Sequence, residues 1–169
     1  FPGHVLAQDA GDITEGLPIS AYTAVGWQGP NGESPFHAFD NNINTKMYGL
    51  TLAGHLLIDA GSSRIVNTLG FTTANDDHGR DPSRVVFSGS NDGINYTAIH
   101  TTSLTPPSNR KTDYANVEFT NSTTYRYYKL QFPLNGGAYH TQLSEIRLIY
   151  GAQVVAVISA ANPANASSP

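Results

Sequence analysis

The stretch Arg84-Val85-Val86-Phe87-Ser88-Gly89-Ser90-Asn91-Asp92-Gly93-Ile94-Asn95-Tyr96-Thr97-Ala98-Ile99 decides the fold. Two runs rich in β-branched and aromatic residues, Val85–Ser90 and Ile94–Ile99, flank Asn91-Asp92-Gly93. Asp-Gly tolerates the positive φ that a tight turn needs, so the segment predicts a β-hairpin. Outward from it, similar short runs recur every ten to fifteen residues. They predict strands at Ile19–Val25, Leu56–Asp59, Ile65–Thr73, Arg84–Ser88, Tyr96–Thr101, Tyr114–Phe119, Tyr125–Phe132 and Glu145–Tyr150. Several alternate with period two: Tyr128, Leu130 and Phe132 oppose Lys129 and Gln131, while Val117 and Phe119 oppose Asn116 and Glu118. That is the pattern of half-buried antiparallel strands. Pro82, Pro106-Pro107 and Pro133 read as loop punctuation. Helical periodicity is nearly absent. About eight short strands with Gly/Pro turns imply an all-β fold, an antiparallel sandwich or barrel.

Composition narrows the function. The chain has 169 residues, 13% of them charged, with a formal net charge of −4 and no cysteine. This length suits one domain. Zero cysteine excludes a disulfide scaffold, a thiolate zinc site and a cysteine nucleophile. Nine scattered Lys and Arg argue against nucleic acid as a partner, because phosphate binding needs clustered cations. The longest apolar stretch, around Val154 to Ile158, is far below the ~20 residues of a membrane span. A start at Phe1, with Met47 the one methionine, reads as a processed product, and the Asn-rich, Lys-poor composition adds the expectation of a secreted, extracellular protein. The sequons at Asn95, Asn121 and Asn165 are about as many as chance provides among 14 Asn and carry no weight. The composition changes after Tyr150. Residues 1–150 read as the domain and 151–169 as a C-terminal tail, either a linker or an added edge strand that pairs within the domain or with a neighbouring chain.

The first chemistry-bearing segment is His37-Ala38-Phe39-Asp40-Asn41-Asn42-Ile43-Asn44-Thr45-Lys46. Asp40 is a hard oxygen ligand, Thr45 offers a hydroxyl and a carbonyl, and an Asn-rich turn can aim carbonyls inward. Calcium takes six to eight such oxygens. A metal-free Asx-turn network explains Asp40 and Asn42 nearly as well, and the residues alone leave both readings open.

Four motifs, in order, resemble discoidin domains, also called coagulation factor V/VIII C-type domains. Phe39-Asp40-Asn41-Asn42-Ile43-Asn44-Thr45-Lys46 is similar to the family's Asp-(Gly/Asn)-x-x-x-Thr signature. Pro82 through Tyr96 resembles its strand ending in Ser-x-Asp-Gly-x-x-Trp/Tyr. Tyr125-Arg126-Tyr127-Tyr128-Lys129-Leu130 resembles its Arg-Tyr-x-(Lys/Arg)-(Leu/Ile) strand, and Leu143-Ser144-Glu145-Ile146-Arg147-Leu148 its closing strand. Together they cover residues ~10–150 and imply a jelly-roll β-sandwich, the fold of many bacterial carbohydrate-binding modules. The resemblance also implies a structural calcium (Ca2+) site. Its ligands would be the carbonyls of His37, Asn42 and Ser144, the carbonyl and hydroxyl of Thr45, and the carboxylates of Asp40 and Glu145. Asn41 departs from the usual Gly, and Met47-Tyr48 stand where a Trp often falls.

The same resemblance places sugar contacts on loops beside the calcium loop. Thr73 through Pro82 is the densest polar cluster in the chain, with donors at Asn75, His78 and Arg80 and acceptors at Asp76 and Asp77. Such a set can bind paired sugar hydroxyls. Trp27, Tyr48 and Tyr139 are candidate stacking aromatics, and His140 follows in the Asn135–His140 loop. An Arg80–Asp81 pair bracing the loop is the alternative reading of those two residues. The acidic loop favours neutral sugars. The six His lack His-x-His or His-x3-His spacing, against a transition-metal site. No nucleophile elbow, phosphate loop or His-Glu-x-x-His is present, so catalysis is not expected. The expected function is lectin-like binding of a glycan. The alternative is a structural or adhesive subunit of an extracellular assembly, self-associating through Gln153–Ser159 and the Phe1–Leu6 extension.

Overall fold

The computed structural model describes residues 11–151. The extension at 1–6 and the tail at 152–169 lie outside the described residues. Among the described residues ten strands form two antiparallel sheets, β1 (Gly11–Asp12), β2 (Tyr22–Trp27), β3 (Met47–Arg64), β4 (Thr68–Thr72), β5 (Pro82–Ser90), β6 (Thr97–Ser103), β7 (Val117–Glu118), β8 (Tyr125–Asn135), β9 (His140–Leu143) and β10 (Glu145–Tyr150). One sheet runs β1-β10-β4-β7; the other runs β2-β3-β8-β5-β6, with β9 paired to β3. The chain is thus an all-β sandwich. Its inner faces meet in one core where Phe87 stacks on Tyr128 at 5.3 Å between ring centroids and Phe71 meets Phe132 edge-on at 5.6 Å. The period-two reading of β8 holds: Tyr128, Leu130 and Phe132 are buried and Lys129 and Gln131 are not.

The hairpin is present, with Ser88 opposite Ala98 and Gly89 opposite Thr97. Its turn is wider than Asp-Gly alone suggests, because Asp92 organises it. The Asp92 carboxylate accepts from the amides of Ile94 (2.9 Å) and Asn95 (2.8 Å) and from Ser90 Oγ (2.8 Å). Ile94 stays 80% exposed and the return strand starts at Thr97. Other boundaries also differ from the sequence reading. Ile19–Ala21 forms a 310 turn after the extended Pro18. Of 114–119 only Val117–Glu118 is strand, while Tyr114 is buried and donates from its hydroxyl to the Pro82 carbonyl. Pro133 lies within β8, between the pairs Val86–Gln131 and Arg84–Leu134 where the register slips, so its missing N–H breaks no ladder bond.

The largest difference is β3, expected only at Leu56–Asp59. Its 18 residues pair with three neighbours: β9 near its start, β2 along its middle and β8 over Leu56–Asp59. Gly49 holds φ at 103°, and a Cβ built there would lie 2.4 Å from the Gly29 nitrogen. This close passage lets Gln28 N–H donate to the Gly49 carbonyl at 2.9 Å. The contact joins the start of β3 to the end of β2 and brings two of the candidate aromatics, Trp27 and Tyr48, together, with the Trp27 indole N–H bonded to the Tyr48 carbonyl.

Candidate functional site

Three connections meet around the start of β3: residues 28–46, 73–81 and 136–139. Lys46, 8% exposed, ties them together. Its ammonium donates to both Asp76 carboxylate oxygens at 2.9 Å and to Gln142 Oε1 at 3.2 Å, and lies 3.8 Å from Glu33 Oε1. Gln142, in β9, donates from its amide to the carbonyls of Asp76 (3.0 Å) and Asp77 (3.2 Å). Burial opposes the Asp76 charge, but the Lys46 and Gln142 hydrogen bonds and the Lys46 and Arg80 charges hold its carboxyl below the usual range. Arg80 lies 3.1 Å from Asp77 Oδ2 and 3.7 Å from Asp76 Oδ1.

Above this ion-paired floor sit the aromatics. The Arg80 guanidinium stands 4.5 Å from the Tyr48 ring centroid, a cation–π contact. His140 meets Tyr48 edge-on at 5.7 Å, and Tyr139 meets His140 edge-on at 4.6 Å. Register explains the grouping, because Tyr48 is opposite Gln142 and Thr51 opposite His140. Tyr139 is 74% exposed and is the freest aromatic surface of the group. Trp27 serves differently: its indole N–H donates to the Tyr48 carbonyl at 2.8 Å, which fixes the backbone under Tyr48. His140 Nε2 is 3.4 Å from Gln28 Oε1.

The structure therefore brings together Trp27, Tyr48, Asp76, Arg80, Tyr139 and His140. Asn75 is exposed in the same loop. His78 belongs to a different group, its Nδ1 3.0 Å from Arg110 Nη2 and 3.8 Å from Asp81. Asp81 does not pair with Arg80. Its buried carboxylate takes a bidentate grip from Arg110, which also donates to the Asp76 carbonyl at 2.8 Å. Lys46, Gln142 and Arg110 escaped the sequence reading, since their partners lie 29–96 positions away. A buried Gln between Thr141 and Leu143 was the available signal.

The Asp40 loop lies next along the chain. Asp40 Oδ1 accepts from the Asn42 amide and Asn42 Oδ1 from the Asn44 amide, both at 3.0 Å. Asn41 turns the chain with φ at 56°, a conformation Asn tolerates better than most residues. The Asx network is thus present. Around it, however, acceptors outnumber protons. Thr45 Oγ1 lies 2.9 and 2.8 Å from the two Asp40 oxygens and 2.7 Å from the Asn42 carbonyl, three acceptors facing one hydroxyl proton. Glu145, 3% exposed, has a buried Oε1 with no hydrogen-bond partner among the described residues. Burial, reinforced by the Asp40 charge, pushes its pKa up to about 7, against partial relief from Asn41, Asn42 and Arg147. Neither Asp40 nor Glu145 makes an ion pair among the described residues. Ser144 Oγ donates to the Ile43 carbonyl at 3.3 Å, and His37 Nδ1 is 3.0 Å from Ser34 Oγ. Among the described residues no three His, Asp or Glu side chains converge. Asp40, Glu145, the Thr45 hydroxyl and the Asn42 carbonyl are hard oxygens, the donor type that suits calcium rather than a softer metal.

No protein-family profile matches the sequence, and no curated protein matches it. Solved structures do match. CpGH89CBM32-5 from Clostridium perfringens, solved in complex with GalNAc-β-1,3-galactose, superposes with a TM-score of 0.65 at 18% identity, over 77% of this chain and 94% of that one. The family 32 carbohydrate-binding module of C. perfringens NanJ, in complex with galactose, gives 0.63 at 17% identity, over 78% and 95%. A chitosan-binding module from a chitosanase/glucanase of Paenibacillus sp. IK-5 gives 0.63 at 21%, over 83% and 99%. The chain shares the discoidin-like sandwich of these modules.

Proposed function

We propose that this chain is a secreted, non-catalytic carbohydrate-binding module that holds neutral sugars at the loop end around Tyr48, with a structural calcium beneath. The observation that carries the proposal is the convergence of Tyr48, Arg80, Tyr139 and His140 over a floor of paired charges. Tyr139 offers an exposed ring to the C–H face of a pyranose. Arg80 and His140 offer polar groups to its hydroxyls. Ion pairing with Asp76 and Asp77 holds Arg80, and ring contacts with Tyr48 and Tyr139 hold His140, before the ligand arrives, which reduces the ordering cost of binding. Lys46 and Arg80 nearly offset Glu33, Asp76 and Asp77, so the surface lacks the cationic excess that a sulfated or uronic polymer would call for. The sugar ligands of the structural neighbours support the same reading.

His37, Asn42 and Ser144 carbonyls, Thr45 and the Asp40 and Glu145 carboxylates would hold the calcium. When bound it supplies a +2 charge that balances two carboxylates and fastens the loop at 40–45 to the start of β10. The Thr45–Lys46 step links this loop to the binding surface, because Thr45 bonds Asp40 and Lys46 bonds Asp76.

A glycan array probed with the wild type and the Arg80→Ala variant tests the proposal. The wild type is expected to bind neutral glycans and the variant to lose at least tenfold in signal. Failure of the wild type to bind any glycan would sink the reading.

A further inference from the structure

The outer face of the six-stranded sheet carries a second concentration of aromatic rings and unspent hydrogen-bonding groups, apart from the loop end. The period-two alternation turns Leu57 and Asp59 outward between the buried Leu56, Ile58 and Ala60. In register beside them stand Thr23, opposite Leu57, and Tyr127, opposite Asp59. The turn at 91–96 rises over this face on one side and residues 17–21 on the other. Between them lies a cleft of about 290 Å3 lined by Ser20, Thr23, Leu57, Asp59, Tyr96 and Tyr127. Past Ser20 and Asp59 it continues into a second compartment of about 130 Å3 reaching Leu17 and Gly61. Together they come within the range of small-molecule sites.

The lining is chemically specific. Tyr127 is backed by Gly93, where a Cβ would stand 3.6 Å from the ring. Tyr96 has the Lys129 ammonium 4.7 Å from its ring centroid. Tyr127 is also braced by the Arg126 guanidinium, 5.0 Å from its ring centroid. Asp59 is anchored by two hydrogen bonds from Arg126 at 2.9 Å and one from the Gly61 amide at 2.8 Å. It is an ionised acceptor whose charge Arg126 offsets. The hydroxyls of Ser20, Thr23, Tyr96 and Tyr127 make no hydrogen bond with any described residue. Four free hydroxyls, two braced aromatic rings and one neutralised carboxylate suit a ligand that presents apolar C–H faces and many hydroxyls without net charge.

We infer that this groove is a second carbohydrate site, one that takes at least two linked pyranose units from the interior of a neutral polysaccharide. Two adjoining compartments on an open sheet face accommodate a chain passing through. The site stands independently of the one around Tyr48.

Affinity electrophoresis in gels containing soluble xylan, galactomannan or hydroxyethylcellulose tests it, run in the Arg80→Ala background so that the loop end is silent. At least one polysaccharide is expected to retard that protein, and Tyr96→Ala or Thr23→Lys to weaken the retention at least tenfold. Both positions lie outside the core, and unchanged melting curves confirm that the variants fold. Absence of retardation in all three gels overturns the inference. So does retention that neither substitution changes.

Discussion

In the loop at 73–81 every carboxylate has a cation beside it: Lys46 and Arg80 for Asp76, Arg80 for Asp77, Arg110 for Asp81. Among the described residues neither Asp40 nor its neighbour Glu145 makes an ion pair. Asp40 and the Asn42 carbonyl crowd three acceptors onto one hydroxyl, and Glu145 holds a buried oxygen without a hydrogen-bond partner among the described residues. The same residue types thus do different work. Where side-chain cations balance the charge, the loop is a finished surface that needs nothing from outside. Where they do not, the proposed calcium would supply the balancing charge, and stability would then depend on the solution.

Substitution and solution conditions can break this comparison. The largest effect is expected from Arg110→Ala, which strands the buried Asp81. Breaking one side of a buried pair costs about 3–5 kcal/mol, to be read by urea denaturation with and without chelator. A loss below about 1 kcal/mol would show that the paired loop does not depend on its cations. Calcium comes next. At a hundredfold excess over its Kd a ligand adds about 2.7 kcal/mol, or roughly 5–10 °C in Tm for a chain of this size. The wild type is expected to lose that increment in chelator, while Asp40→Ala shows no response to calcium; an identical melt with and without chelator removes the staple.

A smaller effect concerns pH. Glu145 has its folded-state pKa raised from 4.5 to about 7, so between those values the folded protein binds more protons than the unfolded chain. Metal-free stability therefore falls as pH rises through this window, by about 2 kcal/mol between pH 5.5 and 8. Chelated wild type should melt higher at pH 5.5 than at pH 8, and Glu145→Gln should flatten that difference. A chelated wild type that is more stable at pH 8 would mean that Glu145 is satisfied without metal.

The features legible in the sequence were those whose partners are near in the chain. Strand β10 was read at its observed bounds, and the alternation of β8 gave its buried face. The Asp40 turn and the candidate aromatics of the loop end were visible as local motifs. The hidden features depended on distant partners. Strand β3 is interrupted in sequence by Gly49, Gly54 and His55, which reflect close backbone passage and pairing with three different neighbours. Lys46 looks like an ordinary surface lysine until Asp76 and Gln142 arrive from 30 and 96 positions away. His78 and Asp81 could not be sorted from Arg80 and Asp77 by spacing, because Arg110 decides which way they face.

The central claim is that the loop end around Tyr48 binds sugar. Amide chemical-shift mapping with the best glycan from the array tests it most directly. Shifts concentrated at Tyr48, Asp76, Arg80, Tyr139 and His140, and lost in Arg80→Ala, are the result expected. Saturable binding that leaves those amides unmoved would contradict it.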